Sequence, residues 1–598
     1  MKRTGGQIIT EALIRNHVPY IIGIPGHGVL GLFDAVRQCD REGTLKYIQV
    51  KHEQSAVHMA DAYFRLTGQP LATISSIGPG SINTAIGLAT AYVDSSAVIS
   101  LCGDTHTNMM GVGVLQEIER DRDSHFLSVL DPLVKRSWRA ENVQQLPRIM
   151  NRAFQLMKTG RPGPVAVALP MDVQSDSACL GGGGFTPYDE KLSVPADAAA
   201  VDSAVKLMKN AKRPVLLLGG GALRARVAPQ LTALAERWGA AVITTLAGKS
   251  AFPESHSQYA FHTGSKGTTV GLELCRSADV ILALGVRFAD ETTCSYRKGV
   301  SFNFPETKLI QVDINTEELG KNYRPDVAVN ADIASFVDQL LKALDMCPAK
   351  SDYLEEIAQK RGLWLTMMDE KRSQPDDALS ISQLISIMNK ALPDDTIVVS
   401  SSGNTQAQLL QEYVFSVPYT CLTSGGFSTM GWSLPASIGA KLACPDRPVA
   451  ALIGDGDFLM TMQELSTLAQ LNLPVTIVVA DNRGWYAIKD LQRDAYGEDY
   501  TFGNDWLREG KSYTPDYAAI AKGFGIQSWH ADSRESFEAA LKAAMTSGRP
   551  AFIAADVCRD IPYTGGRAFG WWDVPVPGYI EERRQNYENA RDEESWSL

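Results

Sequence analysis

Residues 449–488 read VAALIGDGDFLMTMQELSTLAQLNLPVTIVVADNRGWYAI. A run of small and β-branched residues ends in Gly454-Asp455-Gly456, an amphipathic helical pattern follows, and a second apolar run ends at Asp481-Asn482. Two short apolar runs joined by a helical segment predict a strand–helix–strand unit of a parallel sheet. Both polar clusters therefore follow the carboxyl ends of strands, where open α/β sheets bind their ligands.

Asp455 and Asn482 are the candidate metal ligands of this stretch. A crossover through one helix returns the second strand beside the first, so the carboxylate and the amide oxygen are expected to converge. Mg²⁺ binds a few protein oxygens together with phosphate oxygens, which makes a diphosphate the expected third partner. Asp-Gly after a strand is also typical of an ordinary turn, and from these residues alone both interpretations stay open.

Length and composition describe a multidomain globular protein. A chain of 598 residues is too long for one core and predicts roughly three or four domains. The net charge of −11 argues against a nucleic-acid partner, and nine cysteines without CxxC spacing fit reduced thiols. No apolar run reaches the roughly 20 residues that span a bilayer, and the start lacks a signal-peptide pattern. A cytoplasmic protein without membrane contacts is therefore expected.

Loops and composition divide the chain into three units and a tail. A glycine-rich loop at 181–184 and a polar, partly helical stretch at 347–379 separate the units. The tail is rich in tryptophan and charge, and it is either a covering segment or a frayed end. The expected boundaries are 1–180, 196–345, 380–565 and 566–598.

Residues suited to chemistry follow strands in the first two units as well. In the first unit, Pro25-Gly26-His27 follows one predicted strand, and Glu53 opens a helix, where a carboxylate commonly only complements the helix dipole. In the second unit, Gly219-Gly220 follows a strand, and a later strand ends at Asp313. That pairing favours a nucleotide site in which the acid binds a ribose hydroxyl.

Several motifs occur in the order typical of one family. They are HEQSAVHMADAYFRLTG, SSIGPGSINTAIGLATAYVDS, GRPGPVAVALPMDV, ALGVRFAD, GGFSTMGWSLPASIGA and GDGDF…DN. Along nearly its whole length the chain resembles the thiamin diphosphate-dependent acetohydroxyacid (acetolactate) synthases, pyruvate oxidases and glyoxylate carboligases. The resemblance implies an α/β fold of three doubly wound parallel-sheet domains: pyrimidine, central and diphosphate. It also implies a cofactor held between two subunits, hence a homodimer or homotetramer.

The resemblance also assigns the thiamin site. It implies that Glu53 hydrogen-bonds the aminopyrimidine ring and promotes loss of the thiazolium C2 proton, while Met430 wedges under the bent cofactor. It implies that Asp455, Asn482 and the carbonyl of Gly484 bind Mg²⁺. The other residues on matching cofactor positions are Pro25, Gly26, Ser76, Gly78, Asn83, Gly403, Asn404, Thr405, Ser428, Gly454, Gly456 and Asp457.

The middle unit resembles the family members that hold FAD. Some relatives keep this domain empty or bind ADP there, so these remain the alternatives to flavin. The residues on matching positions are Gly219, Gly220, Thr245, Arg287, Asp290, Asp313 and Ile314.

The chain departs from the synthase pattern at several positions. Glu291 stands where those enzymes carry an arginine that recognises the carboxylate of the acceptor, a reversal of charge. The tryptophan that they place after the metal-binding asparagine falls near Leu491. His27 is a candidate proton donor or acceptor, its alternative being a solvated turn histidine. Gln116 matches a glutamine of the synthase pocket, and His106 is a further candidate for that pocket.

Three functional hypotheses follow. The first is a carboligase of the acetolactate-synthase type, which decarboxylates a 2-oxo acid and adds the carbanion to a carbonyl acceptor. The second is a decarboxylase or a lyase or hydrolase of 1,2-diones, with His27 as the proton donor. The third, a noncatalytic paralogue, is disfavoured because Glu53, Asp455 and Asn482 are all present. The expected partner is a small 2-oxo acid or dione.

Overall fold

Three separate six-stranded parallel sheets form the protein. The structure is a computed structural model that describes residues 2–120, 123–179, 185, 188, 193–348, 350–373, 379–558 and 574–592. The glycine-rich loop predicted at 181–184 and the first part of the tail therefore lie outside the described residues. The predicted fold class, three α/β parallel-sheet domains, is confirmed.

The N-terminal sheet contains β1 (Tyr20–Gly23), β2 (Lys46–Gln49), β3 (Leu71–Ser75), β4 (Val98–Asp104), β5 (Arg136–Arg139) and β6 (Val165–Pro170). Their spatial order is β2-β1-β3-β4-β6-β5, so the order reverses between β1 and β3. Every residue of β3, β4 and β6 is buried, as expected for parallel strands covered by helices on both faces. The longer helices are Gly5–Arg15, Leu30–Glu42, Glu53–Thr67, Ala85–Val93 and Leu146–Lys158.

The middle sheet contains β7 (Pro214–Leu218), β8 (Ala241–Thr244), β9 (Tyr259–His262), β10 (Val280–Leu284), β11 (Lys308–Asp313) and β12 (Val327–Asn330). Their order, β9-β8-β7-β10-β11-β12, is that of dinucleotide-binding sheets, with its reversal between β7 and β10. The helices are Ala198–Asn210, Gly220–Ala225, Ala228–Trp238, Thr269–Arg276, Asp290–Thr293 and Ile333–Ala343.

A long helix follows the middle sheet where the sequence predicts a polar, partly helical stretch. Helix Ser351–Ser373 buries Tyr353, Ile357, Trp364 and Met368 in the core of the middle unit. The spacing of these four buried side chains along the sequence places them on one face of the helix.

The C-terminal sheet contains β13 (Ile397–Ser400), β14 (Cys421–Thr423), β15 (Val449–Gly454), β16 (Val475–Asp481), β17 (Gln527–Ala531) and β18 (Ala551–Asp556). Their order, β14-β13-β15-β16-β18-β17, repeats the topology of the N-terminal sheet, with its reversal between β13 and β15. The helices are Ile381–Ala391, Asn404–Glu412, Ser433–Ala443, Asp455–Thr461, Leu465–Leu471, Tyr486–Tyr496, Tyr517–Gly523 and Arg534–Thr546.

The first and third units share one apolar core. Helix Glu53–Thr67 packs along helix Ser433–Ala443, and the indole N–H of Trp432 donates a 2.8 Å hydrogen bond to Asp61 across the contact. In the described part of the tail, helix Glu581–Asp592 lies against helix Tyr486–Tyr496, where Arg583 donates to the carbonyl of Asp494. Within the described ranges, no helix is long and apolar enough to cross a membrane.

Candidate active site

Asp455 joins the ends of two neighbouring strands of the C-terminal sheet. It follows β15 and opens helix Asp455–Thr461. Its buried carboxylate accepts hydrogen bonds from the backbone N–H groups of Gly456 (2.7 Å), Arg483 (2.6 Å) and Gly484 (3.3 Å). The last two residues belong to the turn after β16. The two polar clusters of residues 449–488 therefore lie side by side.

The residues beside Asp455 fit a cation. The Oδ1 atom of Asn482 is buried and has no hydrogen-bond partner among the described residues. Burial and the neighbouring carboxylate of Asp481 raise the pKa of Asp455 to about 7. A buried, unsatisfied amide oxygen beside two carboxylates would be stabilised by Mg²⁺. The described residues include no group of three or more His, Cys, Asp or Glu side chains suited to a metal, so phosphate oxygens would complete such a site.

Asp457 is directed away from this cluster. Its carboxylate accepts hydrogen bonds from the hydroxyls of Ser401 (2.5 Å) and Ser433 (2.8 Å) and from the backbone N–H of Gly431. It therefore ties the turn after β13 to the segment that carries Met430. We assign Asp457 a positioning role at the predicted thiamin site.

The turns after β13 and β14 meet beside Asp455. The hydroxyls of Ser402 and Ser428 lie 2.9 Å apart, and the side chain of Asn404 donates to Asp490 at 2.8 Å. Gly403 lies in the turn after β13 and the half-buried Met430 in the segment after β14. Thr405 lies in the first turn of helix Asn404–Glu412, and a Cβ atom on Gly454, the last residue of β15, would lie 3.5 Å from its hydroxyl oxygen. Asp490, which was not selected from the sequence, orients Asn404 from helix Tyr486–Tyr496.

A tryptophan covers this edge from an unexpected position. The Trp485 ring packs on Gly456, where a Cβ atom would lie 2.1 Å from the ring. Only glycine permits this approach. Trp485, six residues before Leu491, is thus the aromatic residue that reaches the turn after β15.

Glu53 lies at the corresponding edge of the N-terminal sheet. It is buried at the start of helix Glu53–Thr67, and Asn83 donates a 3.0 Å hydrogen bond to its Oε2 atom. Glu464 of the C-terminal unit accepts the N–H groups of Lys51 and His52, both at 3.1 Å, and so fixes the entry to this helix. Asn83 thus orients the Glu53 carboxylate directly, while Glu464 holds the backbone just before it.

The other residues predicted for the first unit gather around the same edge. Gly28 donates to the hydroxyl of Ser76 at 3.3 Å, which joins the Pro25-Gly26-His27 turn to the turn after β3. Gly78 has a φ of +58°, and a Cβ atom there would lie 2.0 Å from the carbonyl of Gln116. Gln116 therefore reaches the turn after β3, while His27 is exposed on the turn after β1.

A cavity of about 310 Å³ lies where the order of the middle sheet reverses. All of the predicted nucleotide-site residues except Gly219 line it: Gly220, Thr245, Arg287, Asp290, Asp313 and Ile314. Gly425, Gly426 and Ser428 close the end nearest Met430. The cavity thus connects the middle unit with the turn after β14.

Glu291 lines the same cavity beside a buried cation. Burial raises the pKa of Glu291 to about 7, and the ammonium group of Lys266 opposes that shift. Lys266 also donates to the side-chain oxygen of Gln406 at 2.9 Å. The acidic residue at the predicted acceptor-recognition position is therefore accompanied by a positive charge from another segment.

Comparison with known proteins defines the class. Residues 3–124, 201–340 and 401–555 match the N-terminal TPP binding domain, the central domain and the C-terminal TPP binding domain described for thiamine pyrophosphate enzymes. The chain belongs to this family and is a thiamine pyrophosphate (thiamin diphosphate)-dependent enzyme. The family predicted from the motifs is confirmed.

Within the family, the chain is similar to acetolactate synthases. It is 32% identical to a probable acetolactate synthase large subunit of Methanocaldococcus jannaschii, with 94% of each chain covered. It is 31% identical to the acetolactate synthase large subunit of Corynebacterium glutamicum, covering 92% of this chain and 86% of the relative. It is 30% identical to acetolactate synthase isozyme 3 large subunit of Escherichia coli, covering 93% and 95%. These similarities place it in the acetolactate synthase-like branch.

Proposed function

We propose that the enzyme is a carboligase of the acetolactate-synthase type. It decarboxylates a 2-oxo acid and joins the remaining acyl unit to a carbonyl acceptor. One observation carries this proposal. In two sheets with the same strand order, Asp455 follows a strand that flanks the reversal point, and Glu53 is hydrogen-bonded to Asn83, which lies in the segment after such a strand. Reversal points are where open α/β sheets bind ligands.

The chain's own residues have separable tasks. Asp455, Asn482 and the Gly484 carbonyl would hold Mg²⁺ and thereby the diphosphate, and the turns at 401–405 and 425–431 would orient the cofactor. Thiamin diphosphate, when bound, supplies a nucleophilic carbon and an electron sink. Glu53, with one oxygen bound by Asn83, has the other available to hold a proton at the pyrimidine nitrogen.

The carboligase proposal is tested by product analysis. The protein, supplied with thiamin diphosphate and Mg²⁺, is incubated with a panel of 2-oxo acids and 1,2-diones, each with and without an aldehyde or second 2-oxo acid. A carboligase should release carbon dioxide and form a hydroxyketone product. Aldehyde or acid as the only organic product would favour the second candidate, a decarboxylase or dione lyase.

Two residues, His27 and Glu291, favour the second candidate function, a decarboxylase or dione lyase. His27 is exposed on the turn after β1, at the same edge as Glu53. Glu291 is an acid where carboxylate recognition would call for a cation, although Lys266 partly offsets its charge. A reaction that ends with proton delivery would use His27 and tolerate Glu291.

His27→Ala should lower aldehyde-forming turnover by roughly 10²–10⁴-fold if His27 is the proton donor. Exchange of the cofactor C2 proton should stay near normal, because Glu53 governs that earlier step. Turnover is measured by steady-state kinetics on the substrate identified in the panel. Exchange of the cofactor C2 proton is measured by NMR on the same sample. Unchanged turnover would return His27 to the role of a solvated turn residue.

We infer that FAD occupies the cavity of the middle unit. The dinucleotide-type strand order, the glycine turn after β7 and Asp313 at the end of β11 support a nucleotide with a ribose at this place. The purified protein should be yellow or should acquire flavin absorbance on titration with FAD. A colourless protein that ignores FAD but binds ADP would replace flavin with the smaller nucleotide.

We also propose that the active form is a homodimer or a homotetramer. Large apolar side chains are exposed near both edges: Leu30 and Ile86 on the first unit, and Phe427, Met460 and Ile488 on the third. Apolar residues grouped around a site commonly mark a subunit interface. Light scattering should give the mass of two or four chains, whereas a catalytically active single chain would contradict the proposal.

A further inference from the structure

Arg224 is a half-buried arginine with no hydrogen-bond or ion-pair partner among the residues that the structure describes. It lies in the short helix Gly220–Ala225, directly after the glycine turn that follows β7, and its side chain lines the cavity of the middle unit. Its Nη1 atom is buried and donates no hydrogen bond to any described residue. Across the described residues, its guanidinium forms no ion pair.

The other three arginines that line the cavity each donate hydrogen bonds to neighbouring residues. Arg65 donates to Asp61 and Asp94 at 2.8 and 2.9 Å. Arg161 donates to the Ser95 hydroxyl and the Val93 carbonyl, and Arg287 donates to the same carbonyl. Arg224 therefore differs from its neighbours in having its donors unused.

The nearby acids are already engaged. Asp94 accepts the N–H of Gly426 at 2.8 Å in addition to Arg65, and Asp61 accepts the indole N–H of Trp432. Burial lowers the pKa of Arg224 to about 10, and repulsion from Arg65 and Arg161 adds to that effect. Burying an unpaired guanidinium is costly, so an anion from outside the chain would stabilise this arrangement.

The position of Arg224 indicates the chemical class of the anion that it would bind. Where the strand order of such a sheet reverses, the phosphates of a bound nucleotide lie against the turn after the first strand, which here is β7. Asp313, at the end of β11, lies at the place of a ribose partner. A guanidinium binds phosphate oxygens through two parallel hydrogen bonds, which suits a diphosphate linkage.

We propose that Arg224 anchors the diphosphate group of the nucleotide in the middle-unit cavity. This proposal rests on the nucleotide part of the proposed function. FAD and ADP share the diphosphate, so the chemistry is common to both and the experiment separates them.

The test compares Arg224→Gln with the wild type and with Arg226→Gln. Arg226 is a matched control because it is exposed, two residues away and not among the residues that line the cavity, and it donates to the carbonyls of Arg65 and Leu66. Calorimetric titration with FAD and with ADP should show roughly 10- to 100-fold weaker binding in Arg224→Gln, the usual effect of losing a hydrogen bond to a charged group. Arg226→Gln should stay within about two-fold, and Arg224→Lys should retain part of the affinity.

Thermal unfolding gives a second readout. Because Arg224 is unpaired without ligand, the nucleotide-free Arg224→Gln protein should unfold at the wild-type temperature or above it. The stabilisation that FAD or ADP adds should shrink in that variant. A residue needed only for folding would give the opposite pattern, a lower unfolding temperature without nucleotide, and this would overturn the proposal.

The remaining outcomes separate the two proposals. Wild-type affinity for FAD in Arg224→Gln would overturn the role of Arg224 and leave the flavin proposal standing. If the wild-type protein binds ADP with an affinity that depends on Arg224 but does not bind FAD, the role of Arg224 would be supported and the flavin proposal would be overturned. A wild-type protein that binds neither nucleotide would overturn both.

Discussion

Glu53→Gln is expected to slow exchange of the C2 proton of bound thiamin diphosphate by roughly 10²–10⁴-fold. The amide keeps the shape of the side chain, but it cannot hold a proton at the pyrimidine nitrogen as a carboxylate does. Asn83 donates to Oε2 of Glu53 and would find the amide oxygen in its place, so the fold should be preserved. Hydrogen–deuterium exchange followed by NMR on the protein–cofactor complex measures the effect directly.

Two further variants show whether the effect belongs to the carboxylate. Asn83→Ala removes the 3.0 Å hydrogen bond that orients Glu53 while keeping its charge, so exchange should slow by a smaller factor. Glu42→Gln, at the end of helix Leu30–Glu42, should leave exchange unchanged. Cofactor affinity should be unchanged in Glu42→Gln, which lies outside the predicted cofactor site. Exchange in Glu53→Gln as fast as in the wild type would remove Glu53 from this role.

The sheets could be predicted because their strands are short apolar runs with polar ends. The runs that become β15 and β16 stop at Gly454 and Asp481, and the structure ends both strands there. In all three sheets the predicted residues follow the carboxyl ends of strands at or next to the reversal point. Periodicity and turn residues carry that information, because they are local in sequence.

Contacts between distant segments could not be predicted in this way. Asp455 and Asp457 look equivalent in GDGD, yet one faces the turn after β16 and the other binds Ser401 and Ser433. The direction of each depends on where the helix begins and on loops far along the chain. Lys266 reaches Glu291 from another turn of the middle unit, and no pattern around either residue indicates this pairing.

The family motifs indicated the cofactor and its candidate ligands, which local patterns alone could not. Positions that depart from the motifs indicated where the site differs from that of the synthases. The missing tryptophan near Leu491 suggested an altered site, and the structure places Trp485 over Gly456. Arg224 was not selected from the sequence, because a single arginine after a glycine turn is unremarkable. Its significance depends on burial and on the absence of a partner within the described residues.

Asp455→Ala is expected to abolish Mg²⁺-dependent binding of thiamin diphosphate. The substitution removes the charged oxygen ligand and leaves the Asn482 oxygen and the Gly484 carbonyl, which are too weak to hold the cation alone. Because the Asp455 carboxylate also accepts three backbone N–H groups, Asp455→Asn should be prepared in parallel. It keeps most of the shape and should likewise lose metal-dependent affinity. Calorimetric titration of the cofactor with and without Mg²⁺ measures the difference.

Asp481→Asn is the matched control for this experiment. Its carboxylate is the neighbour that raises the pKa of Asp455, and it accepts a 2.7 Å hydrogen bond from Thr514. If Asp455 is the ligand, Asp481→Asn should retain Mg²⁺-dependent binding, since the neutral amide removes repulsion without removing a metal contact. Wild-type affinity in Asp455→Asn together with loss in Asp481→Asn would move the ligand role to Asp481. Loss in the Asp455 variants alone would assign the metal to the turn after β15, because the two neighbouring carboxylates are both buried but have different hydrogen-bond partners.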